Sequence, residues 1–156
     1  MPIKFCSGDI FETESNVALA HGCNCAGAMG KGIAVAFKQH WPDMYDAYKL
    51  KCDRSEFIPG DVFPWHDEST GRMIYNLGTQ RTWRTKATLK AIEQSTTSML
   101  QQAQQQGVSS VAMPLIGAGL GGLAAEDVKA LLQRITDESP VKLIVCETFV
   151  PGQTPK

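Results

Sequence analysis

The sequence lacks long apolar runs and an excess of charge of either sign. No run approaches the roughly 20 apolar residues that span a bilayer, which argues against a membrane protein. The 15 Lys and Arg residues nearly balance the 16 Asp and Glu residues, which disfavours a strongly basic nucleic-acid clamp or a polybasic membrane anchor. The first residues, MPIKFCSGDI, lack the charged-then-apolar pattern of a signal peptide. We therefore expect a cytoplasmic protein without membrane contact.

Cysteine usage gives no sign of a disulfide framework or of a zinc site. The 5 cysteines are odd in number, which does not suit a set of paired disulfides. Cys23 and Cys25 lie close to His21, but Cys-x-Cys is not the usual zinc knuckle, and no second ligand pair follows at a suitable spacing. We expect reduced thiols that pack as small apolar groups, with no metal and no cofactor.

Linkers, low-complexity segments and internal repeats are also missing, and the 156 residues suit one domain that spans 1–156. Apolar runs that predict strands alternate with stretches of helical periodicity. The predicted strands are 3–7, 16–22, 62–65, 73–77, 108–115 and 141–149, and the predicted helices are 33–41, 42–52, 88–106 and 124–135. This order predicts an α/β layered domain with a mixed, largely parallel sheet.

Two glycine-rich loops, at 23–32 and 117–123, each follow a predicted strand and precede a predicted helix. Because the carboxyl ends of parallel strands meet at one edge of a sheet, we expect the two loops to face each other there. Glycine lets backbone N–H groups converge on an anion, and a helix N-terminus adds further donors. Two facing loops suit a diphosphate. The alternative is that the glycines only allow tight turns.

Neither glycine-rich loop matches a familiar nucleotide-binding motif. The Gly-Lys-Ser/Thr of a P-loop is missing from both. A dinucleotide fingerprint requires an acidic residue at the end of the next strand, about 20 residues further on, and only Glu138, in a predicted loop, follows Gly117 at that distance. The common nucleotide folds are therefore disfavoured.

Four residues near predicted strand ends each have a functional and a structural interpretation. Asp9 offers a carboxylate to an exocyclic amine such as that of adenine, or caps a turn. Asn24 suits sugar hydroxyls, or holds its own loop. His21 suits acid–base chemistry near neutral pH, or packs in the core. Phe149 stacks on a base, or packs at an edge.

The segment 78–86 is basic and contains an aromatic residue. Arg81, Arg84 and Lys86 surround Trp83, a combination that binds phosphates or nucleic-acid strands by charge and stacking. A solvated loop anchored by one Trp is at least as good an interpretation. Nucleic-acid binding is possible but not favoured, because the net charge is close to zero.

Four motifs together resemble the macrodomain family. They are Gly8-Asp9-Ile10, His21-x-x-Asn24, the stretch MGKGIA (29–34) with Phe37, and PLIGAGLGGL (114–123). The resemblance covers about residues 3–149 and implies a three-layer α/β/α fold. Within the superfamily, MGKGIA and Trp83-Arg84 with Lys86 are similar to the branch of terminal ADP-ribose glycohydrolases, DNA ADP-ribosyl glycohydrolase antitoxins and ADP-ribose-1″-phosphate-processing proteins.

The resemblance implies that the ligand is ADP-ribose and gives its pose. Asp9 takes the adenine amine, the loops 30–33 and 117–121 wrap the diphosphate, and Asn24 faces the distal ribose, with Phe149 beside the adenine. The implied ligand-binding residues are Asp9, Ile10, Asn24, Met29, Gly30, Lys31, Gly32, Ile33, Thr79, Gln80, Gly117, Ala118, Gly119, Leu120, Gly121 and Phe149.

The sequence departs from this branch at two positions that matter for catalysis. Relatives that remove ADP-ribose use a lysine at the distal ribose, where this chain has Gln80, and the glycohydrolase that acts on protein esters also uses an aspartate, where this chain has Gly121. An amide cannot form a Schiff base. Lys31 or Lys86 would substitute for that lysine only if the loop geometry allowed it.

Two hypotheses follow from these departures. The chain binds free or attached ADP-ribose without chemistry, or it hydrolyses an ADP-ribose derivative with His21 and Asn24 positioning a water. For the hydrolase, the favoured substrate is ADP-ribose 1″-phosphate, followed by O-acetyl-ADP-ribose and by ADP-ribosylated nucleic acid or protein.

Overall fold

The computed structural model describes residues 2–156, in which six strands alternate with four helices. The strands are β1 (Ile3–Gly8), β2 (Ala18–Asn24), β3 (Val62–His66), β4 (Met73–Gln80), β5 (Ser110–Pro114) and β6 (Lys142–Phe149). The helices are α1 (Ile33–His40), α2 (Pro42–Asp53), α3 (Leu89–Gln105) and α4 (Ala125–Thr136). None of the helices in the described part of the chain is both long and apolar enough to cross a bilayer.

All the strands form one sheet in the order β1-β6-β5-β2-β4-β3. Every neighbouring pair is parallel except β3 and β4, which are antiparallel. The mixed, largely parallel sheet predicted from the sequence is therefore confirmed. The carboxyl ends of β1, β2, β4, β5 and β6 lie at one edge, and this edge positions the candidate site.

Helices cover both faces of the sheet. Successive side chains of a strand point to opposite faces. In β2, Ala18 and Ala20 join a core cluster with Met99 of α3, whereas Leu19 between them joins a cluster with Phe37 of α1. The α/β/α arrangement of three layers that the resemblance implied is thus present, with α1 and α2 on one face and α3 and α4 on the other.

Strand β4 is longer than the sequence analysis predicted. The predicted strand ended at Leu77, but β4 continues to Gln80. A Cβ on Gly78 would lie only 2.8 Å from the carbonyl oxygen of Ile58, so this glycine allows two backbone segments to approach closely. As a result Gln80 pairs with Asn24 at the functional edge of the sheet.

Candidate functional site

A pocket of about 410 Å³ opens at the carboxyl edge of the sheet, between the two glycine-rich loops. Leu120 of the second loop reaches across to the first, where its Cδ1 lies 3.2 Å from the position of a Cβ on Gly32. The loops therefore face each other. The pocket is lined by Gly22, Cys23, Asn24, Ala28, Gly30, Lys31, Ala34, Gln80, Trp83 and Leu120.

The backbone of the second loop depends on glycine. Gly117, Gly119 and Gly122 have φ angles of +79°, +64° and +79°, a region that other residues rarely adopt. A Cβ on Gly119 would meet nothing within 4 Å, so this glycine borders open space. The first loop ends at Gly32, with φ +64°, and no side chain caps the α1 helix that follows. The Val35 N–H donates to the Gly32 oxygen at 3.2 Å, and the N–H groups before it can bond a ligand or water.

Asn24 borders the pocket and also holds its own loop, while its contact with a sugar stays a prediction. Its Nδ2 donates to the carbonyl oxygen of Ala28 at 2.8 Å, and its Oδ1 accepts from the Ala26 N–H at 3.0 Å. These bonds fix the amide plane. One Nδ2 hydrogen remains beyond the bond to Ala28, because an amide nitrogen has two donors.

Tyr48 of α2 supports Asn24, and the sequence did not predict this contact. Its hydroxyl donates to the backbone oxygen of Asn24 at 2.7 Å and lies 3.0 Å from the Asn24 Oδ1. Burial raises the pKa of the phenol well above its ordinary value, so the hydroxyl stays protonated and remains a donor. The sequence placed Tyr48 only within the predicted helix 42–52, and its spacing of four from Met44, which is also buried, was the available signal.

His21 is buried away from the pocket surface, and its position does not support the predicted acid–base role. The side chain is 0% exposed, its Nε2 lies 2.7 Å from Oδ1 of Asn76, and its ring stacks on Phe37 with centroids 3.8 Å apart. Burial lowers the pKa of the imidazole from 6.5 to about 4, so His21 is neutral at pH 7. The alternative of a core histidine fits this geometry.

Met29 and Thr79, both predicted to contact ligand, are buried as well. Met29 packs in a cluster with Tyr48 and Phe57 beneath the first loop. Thr79 donates through its hydroxyl to the backbone oxygen of Cys23 at 3.3 Å, which joins β4 to β2. Their side chains support the pocket from below. Among the other predicted residues, Asn24, Gly30, Lys31, Gln80 and Leu120 do line it.

Gln80 lies in the pocket wall but is also tied to the basic segment. Its Nε2 donates to the backbone oxygens of Thr82 and Thr85, both at 2.9 Å. These bonds hold the segment so that Trp83, which is 55% exposed, borders the pocket. The guanidinium of Arg84 lies 4.6 Å from the Trp83 ring centroid. The sequence singled out Trp83 as part of a basic stretch and of the family resemblance but did not predict that it borders the pocket, and its closeness to Gln80 was the available signal.

Lys31 and Lys86, the two candidates to substitute for the lysine that position 80 lacks, lie in different places. Lys31 lines the pocket. Lys86 packs its methylene chain against the second loop, since a Cβ on Gly122 would lie 3.1 Å from the Lys86 Cγ. Only Lys31 therefore borders the space between the loops.

The thiols near the pocket are poor nucleophiles. Burial raises the pKa of Cys25 to about 12 and raises that of Cys23 well above its ordinary value. Because the thiolate is the reactive form, neither is activated at neutral pH. Within residues 2–156, no group of three His, Cys, Asp or Glu side chains is placed to hold a metal ion.

A second part of the edge, at the ends of β1 and β6, contains Asp9, Ile10 and Phe149. Gly8 pairs with Phe149, whose side chain is 59% exposed. The Asp9 carboxylate accepts the N–H of Phe11 at 3.0 Å and that of Gly152 at 3.1 Å. Asp9 thus caps the short 3₁₀ turn that begins at Ile10, as its structural interpretation predicted. Each oxygen retains capacity for another donor.

The family model described as "Macro domain" matches residues 20–132. The chain belongs to the macrodomain family. It is 34% identical over 143 residues to the DNA ADP-ribosyl glycohydrolase of Mycobacterium tuberculosis, with 88% of this chain and 40% of that protein covered. It is 29% identical over 143 residues to the human ADP-ribose glycohydrolase OARD1, with coverages of 92% and 90%.

Comparison with solved structures also finds macrodomains. The macrodomain of Mycobacterium tuberculosis DarG superposes with a TM-score of 0.84 at 32% identity, and the match covers 96% of this chain and 98% of that one. The chain spans about two-fifths of the length of the DNA ADP-ribosyl glycohydrolases it matches.

Proposed function

We propose that this macrodomain binds ADP-ribose, either free or attached to another molecule. The observation that carries the proposal is the placement of the two glycine-rich loops, which face each other along the edge that runs from Asp9 to Asn24. A diphosphate between the loops would place one nucleoside end near Asp9 and the other sugar near Asn24. The relatives named as ADP-ribosyl and ADP-ribose glycohydrolases support the same ligand.

In the proposed pose the adenine lies at the ends of β1 and β6. The Asp9 carboxylate accepts from the exocyclic amine, the Ile10 N–H faces the base, and the exposed Phe149 ring packs beside it. The loops 30–33 and 117–121 surround the diphosphate with backbone N–H groups. The distal ribose enters the pocket, where Asn24 and Gln80 lie, while Met29 and Thr79 support the loops from beneath.

The chemistry of the pocket favours binding over catalysis. Gln80 provides an amide where a nucleophilic amine would be needed, Gly121 provides no carboxylate, and the neighbouring thiols have raised pKa values. Of the described side chains, Lys31 is the only amine in the pocket lining. We therefore favour a module that recognises ADP-ribose and leaves it intact.

The alternative is a hydrolase, and the names of several relatives favour it. Besides the glycohydrolases, an ADP-ribose 1″-phosphate phosphatase of Aspergillus oryzae is 46% identical over 57 residues, with 36% of this chain and 28% of that protein covered. In that function Asn24 would position a water at the distal ribose, and the 1″-phosphate would be the leaving group. His21 would act only indirectly, because it is fully buried.

Titration calorimetry with ADP-ribose tests the proposal. We expect saturable binding at one site, with a dissociation constant on the order of micromolar. Absence of binding at millimolar ADP-ribose would overturn it. Incubation with ADP-ribose 1″-phosphate and with ADP-ribosylated DNA separates the two functions, since a hydrolase releases phosphate or free ADP-ribose and a binding module releases neither.

The location of the protein belongs to the proposal too. All five cysteines lie in the described part of the chain as free thiols. Reduced thiols are typical of compartments where glutathione and thioredoxin prevent disulfide formation, and this supports a cytoplasmic location.

A further inference from the structure

The segment after β6, residues 150–156, folds back onto the end of β1. The N–H of Val150 donates to the Gly8 oxygen at 3.1 Å, and the N–H of Asp9 donates to the Gln153 oxygen at 2.7 Å. Ser7 and Lys156 exchange two backbone bonds of 3.1 and 3.0 Å. We call residues 150–156 the tail. The Val150 bond continues the pairing of β6 with β1. Because β1 is an edge strand, the bonds of Ser7 and Asp9, which alternate with Gly8, pair the rest of the tail on the side that β6 leaves open.

The absence of a side chain at Gly8 lets the tail pack closely against β1. The φ angle of Gly8 is +149°, and a Cβ there would lie 2.6 Å from the Cα of Pro155, closer than real Cβ atoms come to a neighbouring backbone. The tail is therefore fitted to the strand end directly beside Asp9, and it is not simply laid over the surface.

The tail also contacts the Asp9 side chain. The Gly152 N–H donates to Asp9 Oδ2 at 3.1 Å, and the Phe11 N–H donates to Oδ1 at 3.0 Å. Each carboxylate oxygen thus receives one backbone donor, which fixes the plane of the carboxylate. Asp9 is only 8% exposed, so the protein encloses almost the whole residue.

We propose that the tail, through the Gly152 N–H, positions the Asp9 carboxylate and thereby selects a base with an exocyclic amino group. This inference rests on the proposed function, in which Asp9 contacts adenine, and adds to it the part that the tail plays in base selection. An ionised carboxylate accepts hydrogen bonds and cannot donate. Adenine presents an amino group at its 6-position, whereas hypoxanthine presents a carbonyl oxygen there, which the fixed carboxylate repels.

The test compares ADP-ribose with inosine diphosphate ribose, which differs only in the base. Gly152→Pro removes the N–H that bonds to Asp9. Gly71→Pro is the matched control, because Gly71 also has a positive φ, of +77°, and its N–H donates to the Asp67 oxygen at 2.7 Å in a turn that precedes β4. That turn lies at the amino end of β4, away from the loop edge.

The wild-type chain should prefer ADP-ribose over inosine diphosphate ribose by at least about tenfold. Gly152→Pro should reduce this preference by about fivefold, the equivalent of about one net hydrogen bond, and Gly71→Pro should leave it unchanged. Thermal unfolding of each variant identifies any loss of folding. If Gly152→Pro does not fold, a chain that ends at Pro151 replaces it in the same comparison.

If the folded tail variant keeps the wild-type preference for ADP-ribose over inosine diphosphate ribose within twofold, the inference is overturned. An equal loss of affinity for both nucleotides would overturn it as well, because it would indicate only a structural role for the tail. A wild-type chain that binds both nucleotides equally well would overturn it too and leave ADP-ribose binding standing. Binding of neither nucleotide would instead refute the proposed function itself.

Discussion

A Cβ placed on Gly121 would lie 3.7 Å from Oε1 of Gln80. The two positions where the family resemblance implies a lysine and an aspartate are therefore neighbours beside the pocket. Gln80 uses its amide to hold the basic segment, and Gly121 is buried against Ala87. Gln80 therefore makes structural hydrogen bonds, and Gly121 has no side chain that could act on a ligand.

An amine placed at position 80 should form a covalent bond with ADP-ribose. We expect Gln80→Lys, alone or with Gly121→Asp, to form an imine with C1″ of ADP-ribose that borohydride reduces to a stable adduct. The reason is that an amine beside the sugar aldehyde can form a Schiff base and an amide cannot. Peptide mass spectrometry locates the adduct.

Gln80→Met, of similar length and without an amine, is the control for this experiment and should give no adduct at position 80. An adduct on Lys31 of the unmodified chain would contradict our preference for a binding module, because it would place an amine within reach of the sugar.

Gly119→Glu should weaken ADP-ribose binding by at least about tenfold, because it places a carboxylate near the diphosphate in the open space beside the second loop. Gly107→Glu is the matched control. Gly107 also has positive φ, of +74°, and open space around a Cβ, but it precedes β5 at the opposite end of the sheet. Calorimetry measures both variants, and equal affinities would show that the second loop does not bind the diphosphate.

The pH dependence of stability should show the titration of His21. The folded state keeps this ring neutral down to about pH 4, whereas the unfolded chain protonates it near pH 6.5. Stability from His21 is therefore fully present above about pH 6.5 and is lost as the pH falls to about 4, by about 3 kcal/mol. Urea unfolding of the parent and of His21→Gln at several pH values measures this, and identical slopes would refute the assignment.

Tyr48→Phe should lower both stability and affinity, because it removes the hydroxyl that holds Asn24. We expect the free energy of unfolding to fall by about 1–2 kcal/mol and ADP-ribose affinity to fall severalfold. Tyr45→Phe is a matched control, since the Tyr45 hydroxyl donates to the Gly27 oxygen of the same loop at 3.0 Å. If both variants lose affinity equally, Tyr48 anchors the loop and does not specifically position Asn24.

Local patterns were enough to predict most of the fold. The apolar run around Leu19 and the helical spacing of Ile92 and Met99 place these residues in the core, where the structure buries them completely. Gly107 ends α3 with φ +74°, as a glycine after a helix does. These predictions succeeded because each depends on interactions between residues close in the chain.

Features that depend on distant contacts were not predictable. Gly78 continues a strand because the Ile58 backbone passes close to it, and Thr79 is buried because β2 lies beside it. A core position was one of the two interpretations of His21, but its stacking on Phe37 depends on a helix from the other side of the first loop. The tail that contacts Asp9 pairs residues more than 140 positions apart. No local pattern encodes these contacts. The outer limits of the domain, 1–156, stay a prediction.

The closeness of Leu120 to the first loop bears on the rates of ligand binding, since its Cδ1 lies 3.2 Å from the position of a Cβ on Gly32. A nucleotide with bulky groups at both ends would not pass sideways through so narrow a gap. In the proposed pose, association and release would therefore require the loops to separate, and that separation would set both rates. Shortening the Leu120 side chain should accelerate both steps while changing their ratio much less.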